Sequence, residues 1–441
     1  MAQPSPNFES LAATISESSN AITSFLKSKN LPTPSFDENG PPDIPKDPEV
    51  QGARLQLLGA LTDMLHLAMG PAFYSLFSPV WNNHDQMTID VLNQFDFFLA
   101  VPLGGSATYS EISRATNLPE SVVRRILRHA FTMRLFAATE PGSEFVKHTA
   151  TTAYLAKTPA MRSMIAHQTE ETRAGSLHFA ESLRKYSAGK PNLSEEILES
   201  GFSIADIDRT GHPVDYWAYA KVTPEGKPEG FREKRFAEAM QAAAGGSSAP
   251  TELLRDNFDW GSLGGGTVID VGGSSGHDAV LLAKAFPKIS FIVQDRPELE
   301  PAFRSYVPQE LSSQITFQPH NFFNPQTEQA DVYILKRILH DWPDKYVVQI
   351  LKNLTHKLKP SSRILLFESM FPDAAVQSQL PPTMLRMLGA IDLQMITLFN
   401  SLERSYEQWQ EVIKRADDRF EVRLIASTPD SLRGILEIRL T

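Results

Sequence analysis

Hydrophobic residues recur three and four positions apart through much of the first half of the chain, and this spacing predicts helices. A first amphipathic segment covers about 8–31, and a stretch rich in proline and acidic residues follows it up to residue 50. We expect that stretch to be an exposed arm, since such a composition buries little apolar surface. From 51 to about 99 the helical spacing returns with few charges, which favours a helix packed against another subunit or domain.

A helix-turn-helix pattern occupies 109–136, with a Ser-Glu start, a break at TNLPE and a second apolar stripe. Two interpretations of its basic face are open. The face suits phosphate contacts in DNA recognition, or it is the solvated side of a winged-helix scaffold. The net charge of −10 favours the scaffold, because an acidic protein has no overall attraction to a polyanion. The basic face consists of Arg124, Arg125, Arg128 and His129.

Composition narrows the class of protein further. With 441 residues the chain is long enough for two or three domains. It contains no cysteine, which excludes disulfides, thiolate nucleophiles and cysteine-ligated metals. We see no tight cluster of carboxylates or histidines that demands a metal. The chain lacks an apolar run of membrane-spanning length and a basic-then-apolar leader, so we expect a soluble, cytoplasmic protein.

The middle of the chain is rich in aromatic residues and histidines. The aromatic side chains either line a pocket or fill a core, and the sequence leaves both possibilities open for Tyr216, Trp217, Tyr219 and Phe236. Three histidines of this region could lie in the pocket, but ordinary surface positions fit them better. They are His167, His178 and His212.

The stretch VIDVGGSSGHDAVLLAKAF, 268–286, is typical of a strand, a tight turn and a helix. Glycines at 272, 273 and 276 allow a ligand to approach the backbone, where the helix start offers free N–H groups, although many such units use glycine only to bend. Asp295 ends the next strand about 20 residues later, where an acidic residue can accept from both ribose hydroxyls. Together these features favour an adenosine-containing cofactor.

Two cofactor classes fit the turn. A dinucleotide fingerprint needs G-x-G-x-x-G, whereas the spacing of Gly272, Gly273 and Gly276 is shorter. Asp270, on the strand before the turn, would repel a pyrophosphate but attract a cationic amino group. These observations favour S-adenosylmethionine over a nicotinamide or flavin dinucleotide.

Further chemistry lies downstream in a specific order. A strand followed by LHDWPD places Lys336 and His340 where open α/β sheets hold ligands, a later strand ends around Glu368, and Glu403 precedes another helix. With DVGG…GH, LHDWPD and ER in this order, residues 50–441 resemble the plant and fungal small-molecule O-methyltransferases of the caffeic acid type. The resemblance is strongest to fungal members associated with polyketide and other secondary-metabolite pathways.

That resemblance implies an α/β fold: a Rossmann-like, seven-stranded catalytic domain after an N-terminal α-helical, winged-helix dimerisation domain. It also implies a homodimer that acts on a small aromatic molecule and does not read DNA. We expect the arm at 1–50, the dimerisation domain at 51–160, a helical connector that contributes to the substrate pocket at 161–250, and the catalytic domain at 251–441.

The resemblance also assigns roles to individual residues. His340 would be the general base, oriented by Glu368 and Glu403. The residues that would bind S-adenosylmethionine are Asp270, Gly272, Gly273, Gly276, Asp295, Arg296, Asn321, Phe322 and Lys336. The residues that would bind the substrate are Met395, Asp341 and Trp342. Asn321 replaces a commonly found aspartate, so we expect somewhat weaker cofactor binding.

The proposed chemistry is methylation of a phenolic hydroxyl. A phenolate attacks an activated methyl group far more readily than a phenol, and a histidine with the unperturbed pKa of about 6.5 is largely neutral at neutral pH and can take the proton. The alternative is an enzyme that uses bound S-adenosylmethionine to assist a dehydration or pericyclic reaction without methyl transfer. The presence of the histidine and both acidic partners favours methyl transfer.

Overall fold

The computed structural model describes residues 6–205, 207–246, 252–428 and 433–441. The chain forms two compact units. Unit 1 comprises 1–174, 220–245 and 379–387, and unit 2 comprises 175–219, 246–378 and 388–441. The boundary expected between 250 and 251 lies outside the described residues.

Helices occur throughout the chain, and the longer strands lie in its second half. The helices are α1 (Phe8–Ser28), α2 (Pro48–Gln94), α3 (Phe97–Ala100), α4 (Tyr109–Thr116), α5 (Glu120–Thr132), α6 (Ala150–Lys157), α7 (Pro159–Ala166), α8 (Arg173–Ser182), α9 (Gly201–Ala205), α10 (Ile207–Thr210), α11 (Tyr216–Lys221), α12 (Phe231–Gly246), α13 (Glu252–Asp256), α14 (His277–Ala285), α15 (Glu300–Tyr306), α16 (Asp344–Thr355), α17 (Ala374–Gln377), α18 (Pro382–Phe399) and α19 (Tyr406–Ala416). The strands are β1 (Ala107–Thr108), β2 (Ala137–Ala138), β3 (Phe145–Lys147), β4 (Thr267–Val271), β5 (Ser290–Asp295), β6 (Ile315–Pro319), β7 (Val332–Lys336), β8 (Arg363–Ser369), β9 (Phe420–Thr428) and β10 (Arg433–Leu440).

Unit 1 begins with the two helices that the apolar spacing predicts. Asn7 caps α1, and Asp47 caps α2 with Pro48 in its first turn, which explains where each helix starts. The long α2 is not one straight helix, because Gly70 has a φ of 63° and Pro71 follows it. The segment between α1 and α2 is mostly exposed coil, as expected for the arm.

Helices α4 and α5 confirm the helix-turn-helix prediction, and a small antiparallel sheet in the order β1-β3-β2 accompanies them. Asn117 ends α4 with a left-handed φ of 55°, which produces the turn between the helices. On the basic face, Arg124 is paired with Glu120 and Glu144. This guanidinium is therefore engaged within the protein.

The expectation of a surface position is wrong for His167. Its imidazole is buried, and Nδ1 lies 2.6 Å from Glu171 Oε2 inside a π-helical turn, His167–Thr172. Arg235 of α12 pairs with both Glu170 and Glu171. The sequence pattern missed this position because a buried histidine with an ion-paired acid has the same local spacing as a solvated one.

Unit 2 contains a seven-stranded sheet in the order β6-β5-β4-β7-β8-β10-β9. Strands β4 to β8 pair in parallel, and β10 pairs antiparallel with β8 and β9. Strands β4, β7 and β8 are buried along nearly their whole length, which is typical of the strands of a parallel sheet. Parallel pairing brings the carboxyl ends of β4 to β8 to one edge, and the predicted site residues follow these ends.

Aromatic residues of unit 2 pack mainly against one another. Tyr216 is buried and belongs to the core. Trp217 stacks on Phe399 with ring centroids 5.6 Å apart and faces Trp342 at 6.3 Å. In unit 1, Phe236 lies edge-on to the ring of His167.

In the part of the chain that the structure describes, none of the helices combines the length and the apolar character needed to cross a membrane.

Candidate active site

The turn between β7 and α16 carries the candidate base. Arg337 has a φ of 55°, which redirects the chain after β7, and residues Leu339–Asp341 form a 3-10 turn. His340 lies in this turn and is 9% exposed. Its Nδ1 lies 3.0 Å from Oε1 of Glu403. A carboxylate at Nδ1 keeps the proton on that nitrogen, so Nε2 is left as the nitrogen that can accept one.

Glu368 lies near the end of β8, as the sequence predicts, and contacts the backbone of the turn. Its Oε1 accepts hydrogen bonds from the backbone N–H groups of Ile338 and Leu339, at 3.0 and 2.8 Å. Among the described side chains, Glu403 accepts the hydrogen bond that the imidazole of His340 donates. Glu403 therefore contacts the ring, whereas Glu368 contacts the backbone of the turn and acts on the imidazole through its charge. The end of β8 lies beside the end of β7, so Glu368 contacts the amides of the turn itself.

Burial and the surrounding carboxylates act on the pKa of His340 in opposite directions. Burial by itself would lower the pKa of His340, but the carboxylates of Asp341 and Glu403, with Glu368, raise it to about 9. Burial raises the pKa of Glu368 to about 7. The surrounding carboxylates therefore favour the protonated imidazole, whereas an unperturbed histidine is largely neutral at neutral pH.

The three predicted substrate residues lie in unit 2, in two different places. Asp341 Oδ1 is 3.6 Å from Nε2 of His340, the ring nitrogen that Glu403 does not contact. The indole of Trp342 packs edge-on against Phe323, with ring centroids 4.6 Å apart. Met395 is buried on α18. Asp341 is thus the one with a side-chain contact to His340.

The glycine turn after β4 is shaped by close contacts. Gly272 has a φ of 75°, and a Cβ there would lie 2.5 Å from Ile338 Cδ1. A Cβ on Gly273 would lie 2.5 Å from the carboxylate of Asp270. Gly276 then caps α14. The turn therefore excludes larger residues at 272 and 273, and it brings the backbone close to the carboxyl end of β4.

Asp295 lies opposite this turn at the end of β5. Its Oδ2 accepts from the N–H of Ser274 at 2.9 Å, and its Oδ1 accepts from the N–H of Arg296 at 2.7 Å. Ser274 has a left-handed φ of 51°, and the bond to Asp295 stabilises that strained conformation. Burial raises the pKa of Asp295. The position and the negative charge of Asp295 fit a carboxylate that accepts hydrogen bonds from ribose hydroxyls.

Asp270 fits a cationic ligand group. It is 2% exposed, and its Oδ2 has no hydrogen-bond partner among the described residues. Burial and the neighbouring Asp278 raise the pKa of Asp270 to about 7. A buried carboxylate oxygen without a donor is costly, and an ammonium group would remove that cost.

Lys336 has a protein partner that the sequence did not indicate. Its Nζ lies 2.6 Å from Oδ1 of Asp278, and Oδ2 of Asp278 lies 3.0 Å from His277 Nε2. Asp278 is buried in the first turn of α14. An acidic residue there usually indicates an exposed helix start, so spacing alone did not reveal its buried role.

The two residues expected near the adenine follow β6. Asn321 Oδ1 accepts from the N–H of Phe323 at 3.0 Å, which closes a local turn. The carbonyl of Phe322 accepts from Asn353 at 3.1 Å, and its ring lies edge-on to Trp342. Both residues therefore lie at the same sheet edge as Asp295.

Comparison with known proteins identifies the family. A model of the O-methyltransferase domain matches residues 232–418. The O-methyltransferase lcsG of Purpureocillium lilacinum is 34% identical over 92% of this chain and 88% of its own length. The grayanic acid biosynthesis cluster O-methyltransferase of Cladonia grayi is 33% identical over 93% of this chain and 83% of its own. The chain belongs to the O-methyltransferase family. Its cofactor is S-adenosylmethionine.

Solved structures share the fold at lower identity. OxaC in complex with sinefungin and meleagrin is 20% identical, with a TM-score of 0.74 over 98% of this chain and 99% of its own. A pericyclic reaction enzyme is 18% identical, with a TM-score of 0.71 over 99% of this chain and 100% of its own. The helical N-terminal region and the mixed seven-stranded sheet are therefore those of the methyltransferase fold.

Proposed function

We propose that this O-methyltransferase methylates a phenolic hydroxyl of a small aromatic, polyketide-like secondary metabolite, with His340 as the general base. The observation that carries the proposal is the bond of 3.0 Å between His340 Nδ1 and Glu403 Oε1. It leaves Nε2 as the acceptor for the phenolic proton.

When bound, S-adenosylmethionine supplies the electrophilic methyl group. The chain then has to orient the hydroxyl, accept its proton and exclude water. Nε2 of His340 accepts the proton, and Glu403 stabilises the imidazolium that results. Since both side chains are buried, their interaction is not weakened by solvent.

Asp295 and Asp270 have proposed roles in binding the cofactor. Asp295 accepts from the ribose hydroxyls, and Asp270 receives the amino group. Asp295→Ala should lower cofactor affinity at least about tenfold by calorimetry, because a hydrogen bond to a charged group contributes roughly 1.5–3 kcal/mol. Asp331→Ala is the matched control, since Asp331 also accepts from an amide, that of Thr267 at the other end of β4. Equal affinity in the Asp295 variant and the parent protein would contradict this placement.

The direct test of the function uses the full chain. It is incubated with S-adenosylmethionine and a panel of phenolic polyketides, and products are analysed by mass spectrometry. We expect gain of one methyl group and formation of S-adenosylhomocysteine. The same compounds with the phenols already methylated serve as controls and should not react. Conversion of a substrate without S-adenosylhomocysteine would overturn the proposal.

That outcome would support the second candidate, a dehydration or pericyclic reaction assisted by bound S-adenosylmethionine. One observation favours it: carboxylates lie beside both ring nitrogens of His340, Glu403 at Nδ1 and Asp341 at Nε2. They raise the pKa of His340 to about 9 and so favour an imidazolium, which suits an acid better than a base. Substrate conversion that increases as His340 becomes protonated would select this candidate. Methyl transfer that increases as His340 loses its proton would select the first.

We also propose that the protein is a homodimer, and the surface of α2 supports this. The aliphatic and aromatic side chains on it include Leu65, Phe73, Leu76 and Trp81, which are 42–64% exposed. Several large apolar side chains exposed on one helix favour an interface, because large apolar patches are uncommon on monomers. Leu76→Glu should shift sedimentation toward the monomer. Leu177→Glu, at an exposed leucine of α8, is the control. A folded monomeric parent at micromolar concentration would contradict the proposal.

A further inference from the structure

Arg404 lies directly after Glu403 and is completely buried, with 0% exposure. Its Nη1 donates to the carbonyl of Leu339 at 3.3 Å, and its Nη2 donates to the carbonyl of Trp342 at 2.8 Å. Nε and Nη2 also reach Asp344 Oδ1, at 3.0 and 2.8 Å. One guanidinium therefore contacts the backbone on both sides of His340 and the first residue of α16.

Two further residues of the same segment hold the same turn. Ser401 Oγ donates to the carbonyl of His340 at 2.6 Å, and both residues are buried. Glu403 binds the imidazole, while its own N–H donates to Asp392 Oδ1 at 2.8 Å. We call Ser401, Glu403 and Arg404 the base clamp. Ser401 and Arg404 hold the backbone of the turn, and Glu403 holds the ring.

Burial of an arginine needs a reason, because an unpaired charge in the interior is strongly unfavourable. Asp344 supplies the opposite charge, but that pair alone does not account for the two bonds to carbonyls. Lysine could not reproduce the arrangement, since its ammonium lacks the planar fork that reaches several acceptors at once. The shape of the guanidinium therefore matches the shape of the turn.

Arg415 provides an internal comparison. Its Nη1 lies 2.8 Å from Asp344 Oδ2, so both arginines share one carboxylate. The side chain of Arg415 is 45% exposed and lies at the protein surface. Of the two arginines, Arg404 is the one that donates to the carbonyls of Leu339 and Trp342 in the described structure. Charge pairing with Asp344 is thus common to both arginines, whereas contact with the turn is not.

We propose that Arg404 and Ser401 are positioning residues that keep His340 aligned with Glu403 and with the reacting hydroxyl. This inference rests on the proposed role of His340 as the base. Neither residue touches the reacting atoms; each acts through the backbone of the turn. A displacement of about 1 Å in a catalytic group can lower the rate by about 10²-fold, which sets the expected scale.

The test compares Arg404→Lys with Arg415→Lys in the full chain. For Arg404→Lys we expect kcat to fall about 10- to 100-fold, while KM and the Kd for S-adenosylmethionine stay within about threefold of the parent. Arg415→Lys should keep the parent values. Parent kcat in a folded Arg404→Lys variant would overturn the proposal, as would an equal loss in Arg415→Lys.

Ser401→Ala is the second variant, because it removes one hydroxyl and does not add strain if Arg404→Lys fails to fold. We expect its kcat to fall several-fold without a matching rise in KM. Ser182→Ala is its control, since Ser182 is also buried and donates to a carbonyl, that of Glu199, at 2.6 Å. Equal kcat values in Ser401→Ala, Ser182→Ala and the parent would overturn the role of Ser401 in the clamp.

An NMR titration of the His340 imidazole separates this inference from the proposed function. The resonance is assigned from its absence in His340→Ala. Loosening of the clamp should weaken the bond to Glu403 and move the pKa of His340 toward the ordinary histidine value. If His340→Ala keeps the parent turnover, the base assignment fails, and a changed titration in Arg404→Lys still supports positioning. An unchanged titration in Arg404→Lys and Ser401→Ala would contradict it.

Discussion

Two charge clusters of unit 2, buried or partly buried except for His277, differ in the groups that their carboxylates face. In the base cluster, three carboxylates surround one imidazole. In the cofactor cluster, two carboxylates meet one lysine and one histidine. We name the clusters after their proposed roles: the base cluster consists of His340, Asp341, Glu368 and Glu403, and the cofactor cluster consists of Asp270, His277, Asp278 and Lys336.

In the base cluster the negative charges act on a group of the protein itself. Burial would lower the pKa of His340, but the surrounding carboxylates raise it to about 9. In the cofactor cluster, Asp278 contacts both Lys336 and His277, and Asp270 is left with one buried oxygen that has no hydrogen-bond partner among the described residues. The first cluster is thus organised to hold a proton, whereas the second can receive a cationic ligand.

The largest expected effect comes from removal of the centre of the base cluster. His340→Ala should lower methyl transfer by about 10²- to 10⁴-fold, the usual contribution of a positioned general base. Cofactor affinity, measured by calorimetry, should change little, since the cofactor cluster is intact. The residual rate should rise with pH as the phenol ionises by itself.

His356→Ala is the matched control for this variant. His356 caps the end of α16, and its Nε2 contacts the carbonyl of Gln326 at 3.2 Å. Parent turnover in His340→Ala, or an equal loss in the control, would show that the base has been misassigned.

A substitution in the cofactor cluster should change the affinity for S-adenosylmethionine and not the rate of the methyl-transfer step. Asp270→Asn should weaken S-adenosylmethionine binding about 10- to 100-fold, because it removes the charge from a hydrogen bond to a cation. The pKa of Asp270 is raised to about 7, so cofactor affinity of the parent should increase as pH rises through 7 and the carboxylate ionises. Asp270→Asn should lose that increase. If cofactor affinity of Asp270→Asn depends on pH as it does in the parent, the group that titrates near pH 7 is not Asp270.

The two glutamates of the base cluster allow a sharper comparison within it. Glu403→Gln should lower kcat about tenfold, since its carboxylate bonds to the imidazole and stabilises the imidazolium. Glu368→Gln should have a smaller effect on kcat, because Glu368 accepts from two backbone amides. Steady-state kinetics of both variants decides the order. A larger loss for Glu368→Gln would mean that its charge, and not the bond at Nδ1, governs the base.

Much of the fold could be predicted from the sequence, because the spacing of apolar residues matches the helices and strands that the structure contains. The apolar run of β7 is buried on both faces of the sheet, and the strand, glycine turn and helix at 267–285 follow their spacing closely. Residues such as Asp295 and His340 could be placed at the sheet edge, since parallel strands end together.

The pairing of charges could not be predicted in the same way. Nothing in the spacing of Lys336 and Asp278, 58 residues apart, indicates a bond of 2.6 Å. Likewise, the sequence did not reveal that Arg404 is fully buried or that Glu368 binds amides. Side-chain partners depend on which strand ends are adjacent and on the direction of each side chain, and local periodicity contains neither.

The smallest expected effect concerns Asp341, whose Oδ1 lies 3.6 Å from the accepting nitrogen of His340. Only the unprotonated imidazole can accept the phenolic proton, so turnover should increase with pH as His340 loses its proton. Asp341 is among the charges that raise the pKa of His340, so Asp341→Asn should lower that pKa. The rise in turnover should then move to lower pH, and the activity at pH 7 relative to that at pH 9 should increase. pH–rate profiles of the variant and the parent check this. If Asp341 binds substrate instead, KM should rise and the position of the profile should stay unchanged.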